Sequence, residues 1–229
     1  MNIAMILSGG SGVRLGADIP KQYIECGGRM IISYCLETFQ ACGEIDAVWL
    51  VADESWQESI KGLGYSKIKG FSRPGATRQL SIVNGLEDIN VWASKEDIVV
   101  IHDAARPLVS METIEALISG TKEHDGAIPV LPMKDTVYYS KNGKVITDLL
   151  DRKCVFAGQA PESFKLGKYL DANRRLLPEE IYRINGSTEP AILAGMDIVM
   201  LPGDERNYKI TTRSDLERFI SEIEKMHEK

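Results

Sequence analysis

Ile3-Ala4-Met5-Ile6-Leu7-Ser8-Gly9-Gly10-Ser11-Gly12 runs five apolar residues straight into three glycines within four positions. An apolar run without polar alternation reads as a strand buried on both faces, the kind that a parallel sheet covered by helices requires. Glycines at its carboxyl end let backbone N–H groups approach an anion without any side-chain charge. They stand at the sheet edge where open α/β folds hold their ligands. Two familiar phosphate loops are excluded. No Gly-Lys-Ser/Thr follows, as a P-loop needs, and Leu15 stands where a dinucleotide fingerprint begun at Gly10 needs its last glycine. A tight βα turn without a ligand is the plain alternative.

Outward from this stretch the same rhythm continues. Ala47-Val48-Trp49-Leu50-Val51 and Ile98-Val99-Val100-Ile101 are further apolar runs, with strands also expected at 67–71, 127–131 and 196–201. Helical patterns fall between them at 30–39, at 54–61 and around Leu80, Val83 and Leu86. Ser110 reads as an N-cap for Met111, Ile114, Leu117 and Ile118, with Gly120 to end that helix. Another helix is expected after Phe164, to about Leu176, and a last one behind Thr212, where Leu216, Phe219, Ile220 and Ile223 share a face. The alternation predicts an α/β, Rossmann-like fold with a mostly parallel sheet flanked by helices, in a single domain over 1–229. One segment breaks the rhythm. Val137-Tyr138-Tyr139-Ser140-Lys141 and Lys144-Val145-Ile146-Thr147 flank Asn142-Gly143, a pair suited to a type I′ hairpin turn. This β-arm, an insertion at about 134–152, carries apolar side chains that predict dimerisation.

Composition narrows the function classes. The 229 residues hold 27 Lys+Arg against 33 Asp+Glu, a net charge of −6. That excludes nucleic-acid binding driven by bulk charge. No apolar run approaches the length of a membrane span, and no basic segment precedes the first apolar run, so neither a membrane anchor nor a signal peptide is expected. Cys26, Cys35, Cys42 and Cys154 lack CxxC spacing, which fits reduced thiols in the cytoplasm.

The glycine loop also holds Arg14, and Lys21 follows in Pro20-Lys21-Gln22-Tyr23. Two cations beside a phosphate nest suit a nucleoside triphosphate. From Gly9 to Gly16 and from Pro20 to Tyr23, these strings resemble the signature of the sugar-phosphate nucleotidyltransferases. More narrowly they resemble the cytidylyltransferases acting on 2-C-methyl-D-erythritol 4-phosphate or ribitol 5-phosphate. His102-Asp103-Ala104-Ala105-Arg106-Pro107 and Asn207-Tyr208-Lys209-Ile210-Thr211-Thr212 extend the likeness, in the right order, over nearly the whole chain.

The resemblance implies CTP and a polyol phosphate as substrates, a divalent cation such as Mg²⁺, and a homodimer joined through the β-arm. It implies Arg14 and Lys21 as catalytic cations. Leu7, Ser8, Gly9, Gly10, Ser11, Gly12, Gly75, Ser81, Asp103, Ala104 and Arg106 would bind the nucleotide, with Asp103 near the metal. Thr136, Arg152, Ser187, Thr188 and Lys209 would meet the acceptor. His102 reads as a core or hydrogen-bonding residue. The first acceptor is 2-C-methyl-D-erythritol 4-phosphate, for isoprenoid precursor synthesis. Ribitol 5-phosphate or another polyol phosphate, for a surface polymer, is the alternative, as are another NTP or sugar phosphate and a non-catalytic nucleotide binder. Two strings depart from the family pattern. Gln159-Ala160-Pro161-Glu162 replaces Gln-Thr-Pro-Gln, and Asn185-Gly186-Ser187-Thr188-Glu189-Pro190 replaces a Thr-Asp-Glu-Ala-like string. Both fall in the acceptor half of the family site. No acidic residue stands near Ala76, where the family often has one beside the base.

Overall fold

In the computed structural model, residues 1–10 and 19–227 are described. The chain runs β1 (Asn2–Leu7), β2 (Glu25–Cys26), β3 (Arg29–Met30), α1 (Ile31–Ala41), β4 (Ala47–Val51), α2 (Glu54–Lys61), β5 (Ile68–Ser72), α3 (Arg78–Asn90), β6 (Ile98–Asp103) and α4 (Met111–Glu123). It continues through β7 (Gly126–Pro132), β8 (Val137–Tyr139), β9 (Asp148–Leu150), β10 (Phe156–Gly158), β11 (Glu162–Lys165), α5 (Leu166–Arg174), α6 (Glu189–Leu193), β12 (Ile198–Pro202) and α7 (Arg213–His227). The main sheet has the order β10-β7-β11-β6-β1-β4-β5, with β12 on the other edge of β7. Pairings β6-β1-β4-β5 and β7-β12 are parallel. β10 and β11 run antiparallel, so the sheet is mostly parallel, as expected.

Successive side chains of a strand point to opposite faces, and β1 shows what that does to an all-apolar run. Ala4 and Ile6 enter one core layer with Cys35, Leu36 and Phe39 of α1 and Ile114 and Ile118 of α4. Ile3 and Met5 enter the other, with Ile82 and Leu86 of α3 and Tyr169 and Leu170 of α5. Val99 and Ile101 of β6 join the second layer, while Ile98 and Val100 join the first. α7 closes a smaller layer, where Phe219 and Ile223 are buried against Ile31 and Tyr34.

Several details differ from the sequence reading. Gly120 does not end α4, which continues to Glu123. Its missing side chain lets the helix lie close on the sheet, since a Cβ there would sit 3.2 Å from Ala127 and Val199. Ile220 is exposed rather than part of the buried stripe of α7. A strand at Glu162–Lys165 was not expected, while α5 begins at Leu166, close to the expected start after Phe164. The hairpin is present, with Tyr139 opposite Asp148 and the Thr147 amide donating to Tyr139 O at 2.8 Å. The Asn142 carboxamide oxygen accepts from the Lys144 and Val145 amides at 2.9 and 3.0 Å, which widens the connection to residues 140–147. A two-residue turn would have set Lys141 opposite Lys144, and like charges in that position repel. All four cysteines are free thiols, and Cys154 is the exposed one.

Candidate active site

Parallel pairing sets three strand ends flush: Leu7 lies opposite both Val51 and Asp103. Beyond these carboxyl ends opens a cleft of about 490 Å³, where ligands of open α/β sheets bind. Leu7, Gly9, Gly10, Lys21, Gln22, Gly75, Ala76, Thr77, Arg78, Ser81, Asp103 and Lys209 are among its lining.

The glycine loop is held from behind. Ser8 is buried and donates to Val51 O through both its amide, at 2.9 Å, and its hydroxyl, at 3.0 Å. Gln22, also buried, donates from Nε2 to Ser8 O at 2.6 Å and to Gly10 O at 2.8 Å. The Tyr23 hydroxyl reaches Ser8 O at 3.1 Å, and its ring stacks on Trp56 with centroids 4.1 Å apart. The loop carbonyls are thus tied down by the Lys21–Tyr23 turn. Nothing among the described residues accepts from the Gly9 and Gly10 amides, the arrangement of an anion nest. Gly9 must be glycine, because a Cβ would fall 2.3 Å from Pro74 Cγ. Gln22 was not among the residues expected at the site. Gln22→Ala removes this donor from Ser8 O, which is buried and keeps the Tyr23 hydroxyl, and from Gly10 O, which is exposed, and is expected to cost about 1 kcal/mol. Urea unfolding checks this, and a loss below about 0.5 kcal/mol would show that the clamp is not needed.

Charge concentrates at Asp103. Its Oδ1 accepts from Arg78 Nε at 3.0 Å and its Oδ2 from Lys209 Nζ at 2.9 Å, with Arg106 Nε 3.8 Å away. Burial alone pushes this carboxyl up, but Arg78 and Lys209 together hold it well below the usual carboxylate range. Lys21 Nζ donates to Ile210 O, on the segment that carries Lys209. Arg106 is turned away from the cleft: its Nη1 donates to Asn207 O at 2.6 Å, and Asn207 Nδ2 donates to Ala160 O at 2.7 Å. It braces the Lys209 segment and does not line the nucleotide cleft as expected. His102 is fully buried, with Nε2 2.9 Å from Arg106 O, and burial pushes its pKa down to about 4. It is a neutral core imidazole near pH 7.

The remaining expected site residues divide. Gly75 and Ser81 line the cleft, but the Ser81 hydroxyl accepts from the Gly75 amide and donates to Thr77 O, both at 2.9 Å. It shapes the Pro74–Thr77 loop. Ala104 is buried, bonds Leu7 O through its amide and does not line the cleft. Ser11, Gly12 and Arg14 lie outside the described residues. Thr136 and Arg152 are exposed at the base of the arm and do not line the cleft of their own chain. Ser187 and Thr188 donate their hydroxyl hydrogens to the two oxygens of Glu162, at 2.7 and 2.9 Å. They meet a polyol hydroxyl only as acceptors while those bonds stand. Glu162 is buried, and burial raises its pKa against the pull of Arg78 and the two hydroxyls.

A divalent cation finds a limited donor set. Among the described residues no three of His, Cys, Asp and Glu cluster as metal ligands. Asp103 is the carboxylate of the cleft, and both its oxygens are ion-paired. These residues fit an ion carried mainly by phosphate and water, as Mg²⁺ is in nucleotide sites.

Comparisons with known proteins agree with this fold. The family model described as IspD, 2-C-methyl-D-erythritol 4-phosphate cytidylyltransferase, matches residues 2–222. The 2-C-methyl-D-erythritol 4-phosphate cytidylyltransferase of Rubrobacter xylanophilus is 36% identical over 93% of this chain and 91% of its own. The ribitol-5-phosphate cytidylyltransferase of Streptococcus agalactiae is 33% identical over 96% of this chain and 94% of its own. Among solved structures, the Francisella tularensis 2-C-methyl-D-erythritol 4-phosphate cytidylyltransferase superposes with a TM-score of 0.81 at 27% identity, over 95% of this chain and 97% of that one. Fold, flush strand ends, glycine loop and cation cluster converge on one conclusion: the chain belongs to the IspD family of cytidylyltransferases.

Proposed function

We propose that this protein joins CTP to a polyol phosphate, with 2-C-methyl-D-erythritol 4-phosphate as the first acceptor, giving a CDP-polyol and pyrophosphate. The observation that carries the reading is Asp103 at the mouth of β6 with Lys209 on one oxygen and Arg78 on the other, beside the Gly9 and Gly10 amides, which donate to no described residue. An acceptor phosphate oxygen attacks the α-phosphorus in line with the departing pyrophosphate. That oxygen is already anionic, so positioning and charge neutralisation supply the catalysis and no strong base is needed. The Gly9–Gly10 amides cradle the triphosphate, the Gly75–Ala76 turn meets cytosine, and Arg14, Lys21 and Lys209 neutralise charge that develops in the transition state. Asp103 would help to hold a phosphate-bound Mg²⁺, which supplies further charge neutralisation. CTP is made in the cytoplasm, where the reaction is placed. Among the described residues no helix is long and apolar enough to cross a membrane.

Residues 1–229 form one catalytic unit in this reading, and the β-arm joins two copies. Tyr138, Tyr139, Val145, Ile146 and Leu149 of the arm are exposed, as are Phe156 of β10 and Met200 of β12. Pairing register sets Met200 opposite Ile128 and Gly158 opposite Val130, so Phe156, Ile128, Val130 and Met200 share one sheet face. Such a contiguous apolar surface calls for a partner, and Thr136 and Arg152 would then reach the partner's acceptor site. Light scattering at micromolar concentration is expected to give twice the chain mass, and a monomeric mass contradicts the arm's role.

The acceptor has a second reading. The Glu162–Ser187–Thr188 contact replaces strings that the family carries in its acceptor half, which favours ribitol 5-phosphate or another polyol. Pyrophosphate release with CTP and Mg²⁺ separates the two across 2-C-methyl-D-erythritol 4-phosphate, ribitol 5-phosphate, glycerol 3-phosphate and several sugar 1-phosphates. Turnover of the methylerythritol compound alone supports the first reading, and turnover of ribitol phosphate in its place supports the second. Turnover of sugar 1-phosphates alone would overturn both.

A further inference from the structure

One carboxylate, Asp103, faces three cations: Arg78, Lys209 and Arg106. Its side chain is buried, so the wall of the cleft carries a surplus of positive charge with little water to screen it. Glu162 lowers the surplus without removing it. Arg78 feels its charge, but Glu162 makes no ion pair among the described residues, because its oxygens are held by Ser187 and Thr188.

Arg78 is placed to use that surplus. It is the first residue of α3, directly after the Thr77 N-cap, whose hydroxyl accepts from the Leu80 amide. The next residue, Gln79, is buried and donates to Tyr169 Oη at 3.2 Å and to Asn173 Oδ1. The backbone beneath Arg78 is therefore anchored to α5. The side chain lines the cleft and is 34% exposed, and among the described residues it is engaged only through its Nε, with Asp103. Its two Nη groups donate to no described residue. A guanidinium fork with open Nη groups matches the paired oxygens of a phosphate. Lys209, on the other Asp103 oxygen, lies on the same lining.

We propose that Arg78 is a substrate-binding residue, forming with Lys209, across the Asp103 carboxylate, a two-cation receptor for a phosphate group. Asp103 spaces the two cations. The inference rests on the cytidylyltransferase reading for the identity of that phosphate, which belongs either to CTP or to the acceptor's phosphate monoester.

The test compares wild type, Arg78→Gln and Arg78→Lys in steady state, varying CTP and the acceptor found in the panel in turn. At least one KM is expected to rise tenfold or more in Arg78→Gln and by less in Arg78→Lys, with thermal midpoints close to wild type. The substrate whose KM rises is the one that brings the phosphate. Unchanged KM values, with kcat falling only as the folded fraction falls, would overturn the proposal. Should Arg78→Gln not fold, Arg78→Lys carries the same comparison. A wild type that turns over no acceptor refutes the functional reading alone. Calorimetric titration with CTP and with inorganic phosphate then decides the role of Arg78: weaker binding of either by Arg78→Gln supports it, and equal affinities overturn it.

Discussion

Lys21→Ala is expected to lower kcat by two orders of magnitude or more, on the order of 3 kcal/mol of transition-state stabilisation, as for other lost electrostatic groups. Lys21 lines the cleft next to Gln22, the residue that clamps the glycine loop, and its ammonium reaches Ile210 O on the Lys209 segment. It therefore joins the nucleotide side of the cleft to the cation cluster. In the proposed reaction, losing it removes a positive charge where the α-phosphate reacts. A rise in KM alone, with kcat near wild type, would show uniform binding and not transition-state stabilisation. Steady-state kinetics on a protein whose circular dichroism matches wild type separates the two.

Asp103→Asn has the largest expected effect on stability. It leaves Arg78, Lys209 and Arg106 close together without their shared counter-charge. Removing one partner of a buried ion pair typically costs 3–5 kcal/mol. Arg78 and Lys209 are each about one-third open to solvent, so screening sets the expectation at the low end, about 3 kcal/mol. The sign with pH follows from the lowered pKa. A carboxyl held below its unfolded value of about 3.9 contributes fully at neutral pH, and the contribution fades as pH falls below that value toward the folded one. Urea unfolding should show wild type losing stability between pH 5 and pH 3 more steeply than Asp103→Asn. Parallel curves would mean that the ion cluster adds nothing to the fold.

Much of the fold is legible because β1, β4 and β6 are buried on both faces and so carry the apolar runs Ile3–Leu7, Ala47–Val51 and Ile98–Ile101. The strand at Glu162–Lys165 is not, since three of its four residues are polar. Ser163 is fully buried only because the Thr121 hydroxyl, at 2.6 Å, and Leu117 O, at 3.1 Å, satisfy it, partners that lie more than forty residues away. The hairpin is legible from Asn142-Gly143, but its register depends on a side-chain carboxamide that no pattern of apolar residues encodes. At the site, Gly9, Gly10, Lys21, Asp103 and Lys209 stand in recognisable strings. Arg78 stands in the stretch Pro74–Ser81 with no role that the sequence displays, until the fold brings it 3.0 Å from Asp103, twenty-five residues away in sequence. Gln22 sits inside a recognised string, yet its work is done through hydrogen bonds to Ser8 and Gly10 that sequence does not display.

A crystal structure with CTP bound is the most direct measurement of the central claim, that the cleft beyond β1, β4 and β6 is the nucleotide site. The triphosphate is expected against the Gly9 and Gly10 amides with Lys21 beside it, and cytosine at Gly75–Ala76. A second cavity of about 440 Å³, lined in part by Tyr34, Pro107, Leu108 and Val109, lies apart from that lining. CTP seated there, with the glycine loop empty, would contradict the claim.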